Sequence, residues 1–214
     1  VRDERASMYP AFCASEVRAG EPPNALSEIR ARRRPLLAFA HHPSPVYGRA
    51  LMFAALADIA RRHPRAGLAL FGTGTASPEL RADAERFGVL QLLEDLGELS
   101  NEQALAVIRS ADVFVRPTSA DGDSVSVREA LALGVPVVAT DAAVRPPGAI
   151  VCRAGCAEDL ARKVEWALDS PPAPAPQPDS VAFLAQLYRK LWSPPSSAAS
   201  PLGWPAPDPV AAAS

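Results

Sequence analysis

The sequence predicts an α/β fold, a Rossmann-like doubly wound parallel sheet in a three-layer αβα arrangement. Two observations lead to this prediction. Short apolar runs alternate with segments of helical hydrophobic period between residues 35 and 170, and glycines or capping residues stand at many of the boundaries. Strands separated by helices pair in parallel through right-handed crossovers, so we expect helices on both faces of one sheet.

Six apolar runs are the candidate strands, and the third has the weakest pattern. They occupy residues 36–40, 68–71, 89–93, 113–115, 135–139 and 149–152. The intervening helices carry start and stop signals, such as Ser77 before Pro78, Ser100 before an acidic first turn, and Gly134 after an apolar helix. These signals predict helices over 48–62, from 77, over 100–110, up to 133 and over 157–168, with helix-like material also at 26–34.

The two ends of the chain differ from the middle. Residues 1–34 are irregular and begin with Val1, and we expect them to be an interdomain linker or remnant, so the chain is interpreted as a fragment. Residues 35–170 form the predicted Rossmann-like domain. A Pro-rich linker at 171–180 and a short amphipathic helix at 181–192 follow. Residues 193–214 are dominated by Pro, Ala and Ser, which predicts a disordered tail.

Composition argues against several classes of function. A net charge of -2 and a pI near 6.0 give no electrostatic basis for binding nucleic acid. Cys13, Cys152 and Cys156 form neither an even disulfide framework nor a paired metal motif, and we expect no metal and no cofactor. No apolar run reaches the roughly 18 residues of a membrane-spanning helix. We expect a cytoplasmic protein, with peripheral association at the inner membrane face as an alternative.

Open parallel sheets bind ligands beyond the carboxyl ends of their strands, near the point where the strand order reverses. Four loops are therefore candidates for a site: 41–48, 72–76, 97–100 and 117–124. The sequence contains no Walker motif, and the G-T-G turn at 72–74 is not followed by the third glycine of a dinucleotide fingerprint. Neither of these two phosphate-binding loops is predicted.

The fourth loop has the most informative chemistry. Its segment D-G-D-S at 121–124 precedes a helix, where backbone N–H groups favour a phosphate or a polyhydroxylated ligand. Glu129 follows within about two helical turns, so its carboxylate and that of Asp121 can line one cleft. The alternative for Glu129 is a capping box with Ser126, in which the carboxylate only satisfies backbone N–H groups.

The run D-G-D-S-V-S-V-R-E-A-L-A-L-G-V-P-V-V-A-T-D, from Asp121 to Asp141, resembles the donor-site segment of family 4 glycosyltransferases of the GT-B fold. Earlier pieces fit in the same order: P-L-L-A-F-A, L-A-L-F-G-T-G and S-A-D-V-F-V-R-P-T. The resemblance covers about 35–168, which is the C-terminal, donor-binding half of a GT-B architecture. It implies an N-terminal domain, outside this sequence, as a partner.

The resemblance also implies roles for individual residues. Asp121 stands where the family's first acidic residue contacts the donor sugar, and Glu129 where the second contacts the ribose hydroxyls. The backbone of 122–124 would hold the sugar and diphosphate, and the turn at 72–74 would flank the base. The candidate donor-binding residues are Asp121, Gly122, Asp123, Ser124, Glu129, Gly72, Thr73, Gly74, His42, Tyr47, Gly48, Arg49 and Arg128.

One part of the pattern departs from the family. The family places an Arg and a Lys in the loop after the first strand, where they neutralise the diphosphate. With Gly48 aligned, His42 and Tyr47 occupy those two places. Two interpretations stay open: Arg49, Arg128 or a protonated His42 supplies the charge, or donor binding has weakened or been lost.

The predicted function is that of a glycosyltransferase of polysaccharide biosynthesis, acting from a UDP-, GDP- or ADP-linked sugar on a glycan, lipid or small-molecule acceptor. By resemblance, the enzyme retains anomeric configuration and needs no metal. Its catalytic residues are not identified, and we expect the fragment alone to bind donor and transfer nothing. The alternative is a non-catalytic sugar-nucleotide or partner-binding module. A sugar-nucleotide epimerase of the same architecture is a third option. Such an enzyme needs acidic and His residues in its own pattern around the cleft, and this sequence does not show that pattern.

Overall fold

The computed structural model describes residues 12–191, which divide into two units. The first unit runs to Ser180 and contains one sheet with its helices. Its strands are β1 (Leu36–His41), β2 (Gly67–Gly72), β3 (Leu93–Asp95), β4 (Val113–Arg116), β5 (Val137–Thr140) and β6 (Ile150–Cys152). Its helices are α1 (Leu26–Arg32), α2 (Arg49–Arg62), α3 (Pro78–Arg86), α4 (Asn101–Ser110), α5 (Val125–Ala132) and α6 (Ala157–Asp169).

The second unit is described only as far as residue 191 and consists there of helix α7 (Ser180–Leu191). This helix starts one residue before the predicted start of the amphipathic segment. The tail predicted as disordered lies outside the described residues, as do residues 1–11. Within 12–191 no helix is both long and apolar enough to cross a bilayer.

The sheet has the strand order β3-β2-β1-β4-β5-β6, and every neighbouring pair is parallel. The chain builds outward from β1 through β2 to β3, then crosses back to β4 beside β1 and continues to β6. Strand order therefore reverses between β1 and β4, and the loops after these two strands lie at the switch point. The prediction of a Rossmann-like doubly wound fold is confirmed.

Two hydrophobic cores cover the two faces of the sheet. Along β1, Leu37 and Phe39 belong to the core under α2, α3 and α6, while Leu36 and Ala38 belong to the core under α1, α4 and α5. Successive strand residues point to opposite faces, so a strand that is apolar at every position is buried on both sides. The result is three layers, helices on each side of one sheet.

The third strand differs from its prediction. Residues 89–93 were expected to form it, but Leu90–Leu92 form a 3₁₀ turn and the strand is Leu93–Asp95. Gly88, with φ of +67°, ends α3, and the N–H of Val89 donates to the carbonyl of Ala84 at 2.9 Å. The apolar side chains before β3 therefore close the end of a helix and fill the core from a turn.

A buried carboxylate fastens the junction of α1 and β1 to β3. Glu94 accepts from Arg32 Nη2 at 2.5 Å and from Arg33 Nε at 2.6 Å, and its side chain is 8% exposed. Burial acts to raise the pKa of Glu94, but the two arginine hydrogen bonds outweigh it and lower the pKa below its ordinary value. The ion pair is therefore a stabilising contact between elements far apart in sequence.

We expect Glu94→Gln to lower the free energy of unfolding at pH 7 by about 1.5–3 kcal/mol, because hydrogen bonds to charged groups are lost at a buried site. Urea unfolding measures the change. Glu85→Gln is the matched control, since Glu85 pairs with Arg81 on an exposed helix surface and should cost no more than about 0.5 kcal/mol. Equal losses in the two variants would contradict this account.

Candidate functional site

The loops after β1 and β4 are joined at the carboxyl edge of the sheet. The N–H of Ser119 donates to the carbonyl of Val46 at 2.9 Å. Gly48, at the start of α2, has φ of +74°, and a Cβ there would lie 1.9 Å from the carbonyl oxygen of Pro117. Only glycine fits this conformation and this close approach of two backbones. Gly48 therefore sets the distance between the two switch-point loops.

Asp121 is the centre of a hydrogen-bond network in the loop after β4. Its carboxylate oxygens accept from Arg116 Nε (3.1 Å) and Nη2 (3.3 Å), Thr118 Oγ1 (3.2 Å), Gly122 N (3.1 Å) and Arg145 Nη1 (2.9 Å). Burial acts to raise the pKa of Asp121, but the hydrogen bonds from Arg116 and Arg145 outweigh it and lower the pKa to about 2. The carboxylate is therefore ionised and its acceptor sites are largely filled.

Arg145 connects this network to the next strand. Its side chain is 2% exposed, and it donates from Nε to the carbonyl of Thr140 at 2.8 Å and from Nη2 to the hydroxyl of Thr118 at 3.0 Å. Together with its bond to Asp121, these contacts use all three nitrogens. The sequence prediction missed both Arg145 and Arg116. Their positions in the sequence could have indicated them. Arg116 ends β4 and Arg145 follows β5, so both lie at the carboxyl edge of the sheet, where ligands bind.

Tyr47 belongs to the loop after β1 and contacts His42 of the same loop and Arg116 at the end of β4. Its ring stacks on His42 with the centroids 4.9 Å apart, and the guanidinium carbon of Arg116 lies 4.8 Å from its centroid. A cation this close to an aromatic face is attracted to the ring. His42 is exposed, and its Nδ1 accepts from the N–H of Ser44 at 3.1 Å.

The two arginines expected as substitute cations both have acidic partners. Arg49 donates from Nη2 to Asp83 at 2.5 Å, and Arg128 donates from Nε to Asp123 at 2.7 Å. Each ion pair is one to one, so its charges cancel. Arg128 is buried and its partner is exposed, which places Asp123 at the rim of the loop.

The first turn of α5 has no side-chain cap. Ser124 is the N-cap residue, but its hydroxyl contacts the hydroxyl of Ser126 at 3.3 Å and makes no cap hydrogen bond. The alternative capping box of Ser126 and Glu129 is wrong, because the helix begins at Val125 and Ser126 already lies inside it. The leading N–H groups and the positive end of the helix dipole are thus not used by a capping side chain.

Glu129 has no hydrogen-bond or ion-pair partner within residues 12–191. It lies on α5, half-buried, and burial raises its pKa above the ordinary value. A carboxylate that is partly desolvated without a partner is unfavourable in the free protein. Its two oxygens are open to accept hydrogen bonds.

The glycine turn at 72–74 connects the ends of β1, β2 and β3. The N–H of Gly72 donates to the carbonyl of Gly97 at 2.8 Å, and His41 Nδ1 donates to the carbonyl of Thr73 at 2.8 Å. Gly74, with φ of +73°, approaches Pro43 so closely that a Cβ would lie 2.8 Å from its ring. The turn thus lies beside the loop after β1. Because β2 and β4 are on opposite sides of β1 in the sheet, the turn and the loop after β4 flank the loop after β1 from opposite sides.

Comparison with known proteins decides the family. The sequence profile described as "Glycosyl transferases group 1" matches residues 34–170. This chain belongs to that family. Glycogen synthase from Mycobacterium tuberculosis is 29% identical over 126 residues, and the match covers 56% of this chain and 30% of the relative.

Two solved structures share the fold of this chain. The crystal structure of Anabaena HepE in complex with UDP superposes with a TM-score of 0.66 at 18% identity, covering 86% of this chain and 56% of that one. The C-terminal domain of the group 1 protein LpcC from Francisella tularensis gives a TM-score of 0.58 at 13% identity, covering 75% and 89%. The chain therefore corresponds to about half of HepE and to most of an isolated C-terminal domain.

Asp121 provides a stability test within this group 1 domain. We expect Asp121→Asn to lower the free energy of unfolding at pH 7 by about 2 kcal/mol, because the buried Arg145 loses its counter-charge. Asp58→Asn is the control, because Asp58 pairs with the exposed Arg61, and it should cost less than about 1 kcal/mol.

The pH dependence of this difference follows from the lowered pKa. A carboxyl whose folded pKa is below its unfolded value stabilises the fold above the unfolded pKa, near 3.8, and loses that contribution as pH falls toward about 2. The gap between the wild type and Asp121→Asn should therefore be full above pH 5 and should close below pH 4. A gap that stays constant down to pH 2 would show that the charge of Asp121 is not its source.

Proposed function

We propose that this chain is the donor-binding part of a glycosyltransferase that transfers a sugar from a nucleoside-diphosphate sugar to an acceptor. The observation that carries the proposal is Glu129, a half-buried carboxylate without a partner, beside the uncapped start of α5 at the carboxyl edge of the sheet. Both groups have hydrogen-bonding capacity that no described residue uses. Vicinal hydroxyls and phosphate oxygens supply the complementary chemistry.

In this proposal each part of the loop has a separate task. Glu129 accepts hydrogen bonds from the ribose hydroxyls, and the N–H groups of 123–127 hold the phosphates, since the N–H of Gly122 already donates to Asp121. The turn at 72–74 flanks the base. Asp121 has its acceptor sites largely filled, so a direct bond to a sugar hydroxyl exchanges with one of its present hydrogen bonds. The complexes of HepE with UDP, and with UDP and glucose, support a uridine nucleotide as the first donor to test.

The transfer step requires parts beyond the described residues. We propose that a second domain binds the acceptor, a glycan, lipid or small molecule, and closes over the donor to exclude water from the diphosphate leaving group. The reaction proceeds with retention of anomeric configuration. The group 1 family membership supports transferase chemistry, and the isolated chain binds donor and transfers nothing.

A non-catalytic sugar-nucleotide module is the second candidate. The observation that favours it is the pair His42 and Tyr47, which stands in place of two cations. Both candidates bind donor, so binding does not separate them. Release of nucleoside diphosphate by the full-length protein, with acceptor glycans present, separates them.

We expect Glu129→Gln to weaken binding of UDP-glucose, GDP-mannose or ADP-glucose, whichever binds, by about tenfold, since two charge-assisted hydrogen bonds become neutral ones. The same variant should unfold at equal or higher urea concentration at pH 7. Burial raises the pKa of Glu129 in the folded protein, so the ionised carboxylate destabilises the wild type as pH rises above the unfolded pKa, and glutamine removes this effect. Calorimetric titration and urea unfolding measure the two effects.

Glu85→Gln, on an exposed helix surface, is the matched control; it should leave donor affinity unchanged and lower the free energy of unfolding by no more than about 0.5 kcal/mol. A structural role for Glu129 predicts the reverse pattern, lower stability with unchanged donor affinity. That result would remove the observation on which the proposed function rests. Absence of binding by the wild type to all three donors would reject the function itself.

A further inference from the structure

We propose that Arg116 supplies the diphosphate-binding charge that group 1 enzymes place in the loop after the first strand, and that Tyr47 positions it. The inference rests on the proposed donor binding and deepens it. By the family resemblance, Tyr47 occupies the place of the Lys. The structure brings a guanidinium group from the end of β4 onto the face of that same ring, 4.8 Å from its centre. A cation is thus present beside the place of the missing one, on a different strand.

Charge balance within the Asp121 network favours Arg116. The network holds two guanidinium groups and one carboxylate, so it carries one surplus positive charge. Arg145 is 2% exposed and uses all three nitrogens on Asp121, Thr118 and Thr140, so it has no donor group left at the surface. The surplus charge is therefore available at Arg116, whose side chain is 13% exposed.

The donors of Arg116 are only partly used. Nε and Nη2 bind Asp121, and Nη1 has no hydrogen-bond partner among the residues that the structure describes. Its fork is held in place from two sides, by the carboxylate and by the Tyr47 ring. An arginine immobilised in this way loses little side-chain entropy when it binds phosphate, and its planar donors match phosphate oxygens.

The other cations of the two loops are accounted for. Arg49 and Arg128 each pair one to one with an aspartate. His42 accepts the backbone N–H of Ser44 at Nδ1, so this nitrogen is not a donor in this arrangement. Arg49, Arg128 and His42 thus offer no surplus charge, whereas Arg116 combines a surplus charge with a donor that no described residue uses.

The test uses the whole chain and three variants: Arg116→Gln, Arg116→Lys, and Tyr47→Lys in the Arg116→Gln background. Calorimetric titration at low salt measures affinity for UDP, GDP and ADP, for inorganic pyrophosphate, and for the matching nucleosides. Arg30→Gln is the control. Arg30 pairs with Asp112 at 2.8 Å at the opposite end of β4, so the same charge change and the loss of one ion pair occur away from the site.

We expect Arg116→Gln to weaken pyrophosphate and the best nucleoside diphosphate by about tenfold or more, and to leave nucleoside affinity unchanged. Arg116→Lys keeps the charge and should lose less than about threefold. Tyr47→Lys in the Arg116→Gln background should restore most of the affinity. Arg30→Gln should match the wild type.

The failures are distinguishable. If the wild type binds a nucleoside diphosphate and Arg116→Gln binds it equally well, the inference is wrong and the proposed function stands. If Arg116→Lys is as weak as Arg116→Gln, Arg116 acts by holding Asp121 and not by its charge, and the inference is again overturned. If the wild type binds neither pyrophosphate nor any of the three nucleotides, the proposed function fails and the inference fails with it.

Discussion

The geometry of the candidate site depends on the ion pairs of Asp121. This carboxylate joins the last residue of β4, the loop that follows, and Arg145 from the loop after β5. Two buried or nearly buried guanidinium groups need this counter-charge, because an unpaired charge in the interior is far more costly than a paired one. The network thus fixes the loop that leads into α5, and with it the position of Glu129 and of the open first turn.

Topology decides where this network lies. The strand order reverses between β1 and β4, so the loops after these strands flank one crevice, and Gly48 allows their backbones to touch. Tyr47 from one loop and Arg116 from the other then meet across it. The position where the family resemblance implies a cation is therefore beside a cation from the neighbouring strand. This arrangement follows from the parallel pairing of β1 and β4 and not from local sequence.

The sequence was sufficient for features that depend on local pattern. Apolar runs and capping residues predicted the order of strands and helices, the parallel sheet and the loops at its ligand edge. The prediction of β3 was wrong because Leu90 and Leu92 pack against the core from a 3₁₀ turn and not from a strand. Arg145 was missed because its pairing with Asp121 spans 24 residues and depends on tertiary structure. The capping box required Ser126 as the N-cap residue, but the N-cap is Ser124, two residues earlier, so Ser126 lies inside the helix.

We propose that a nucleoside diphosphate binds at the loops after β1 and β4. Mapping of amide chemical shifts during titration with UDP, GDP and ADP tests this binding. At least one nucleotide should change the amide chemical shifts of 122–127, Glu129 and 42–48 in the same titration. The charged groove between α2 and α6, which contains Asp58, Arg62 and Glu165, should be unchanged. Shifts confined to that groove, or none at millimolar concentrations of all three nucleotides, would contradict the proposal.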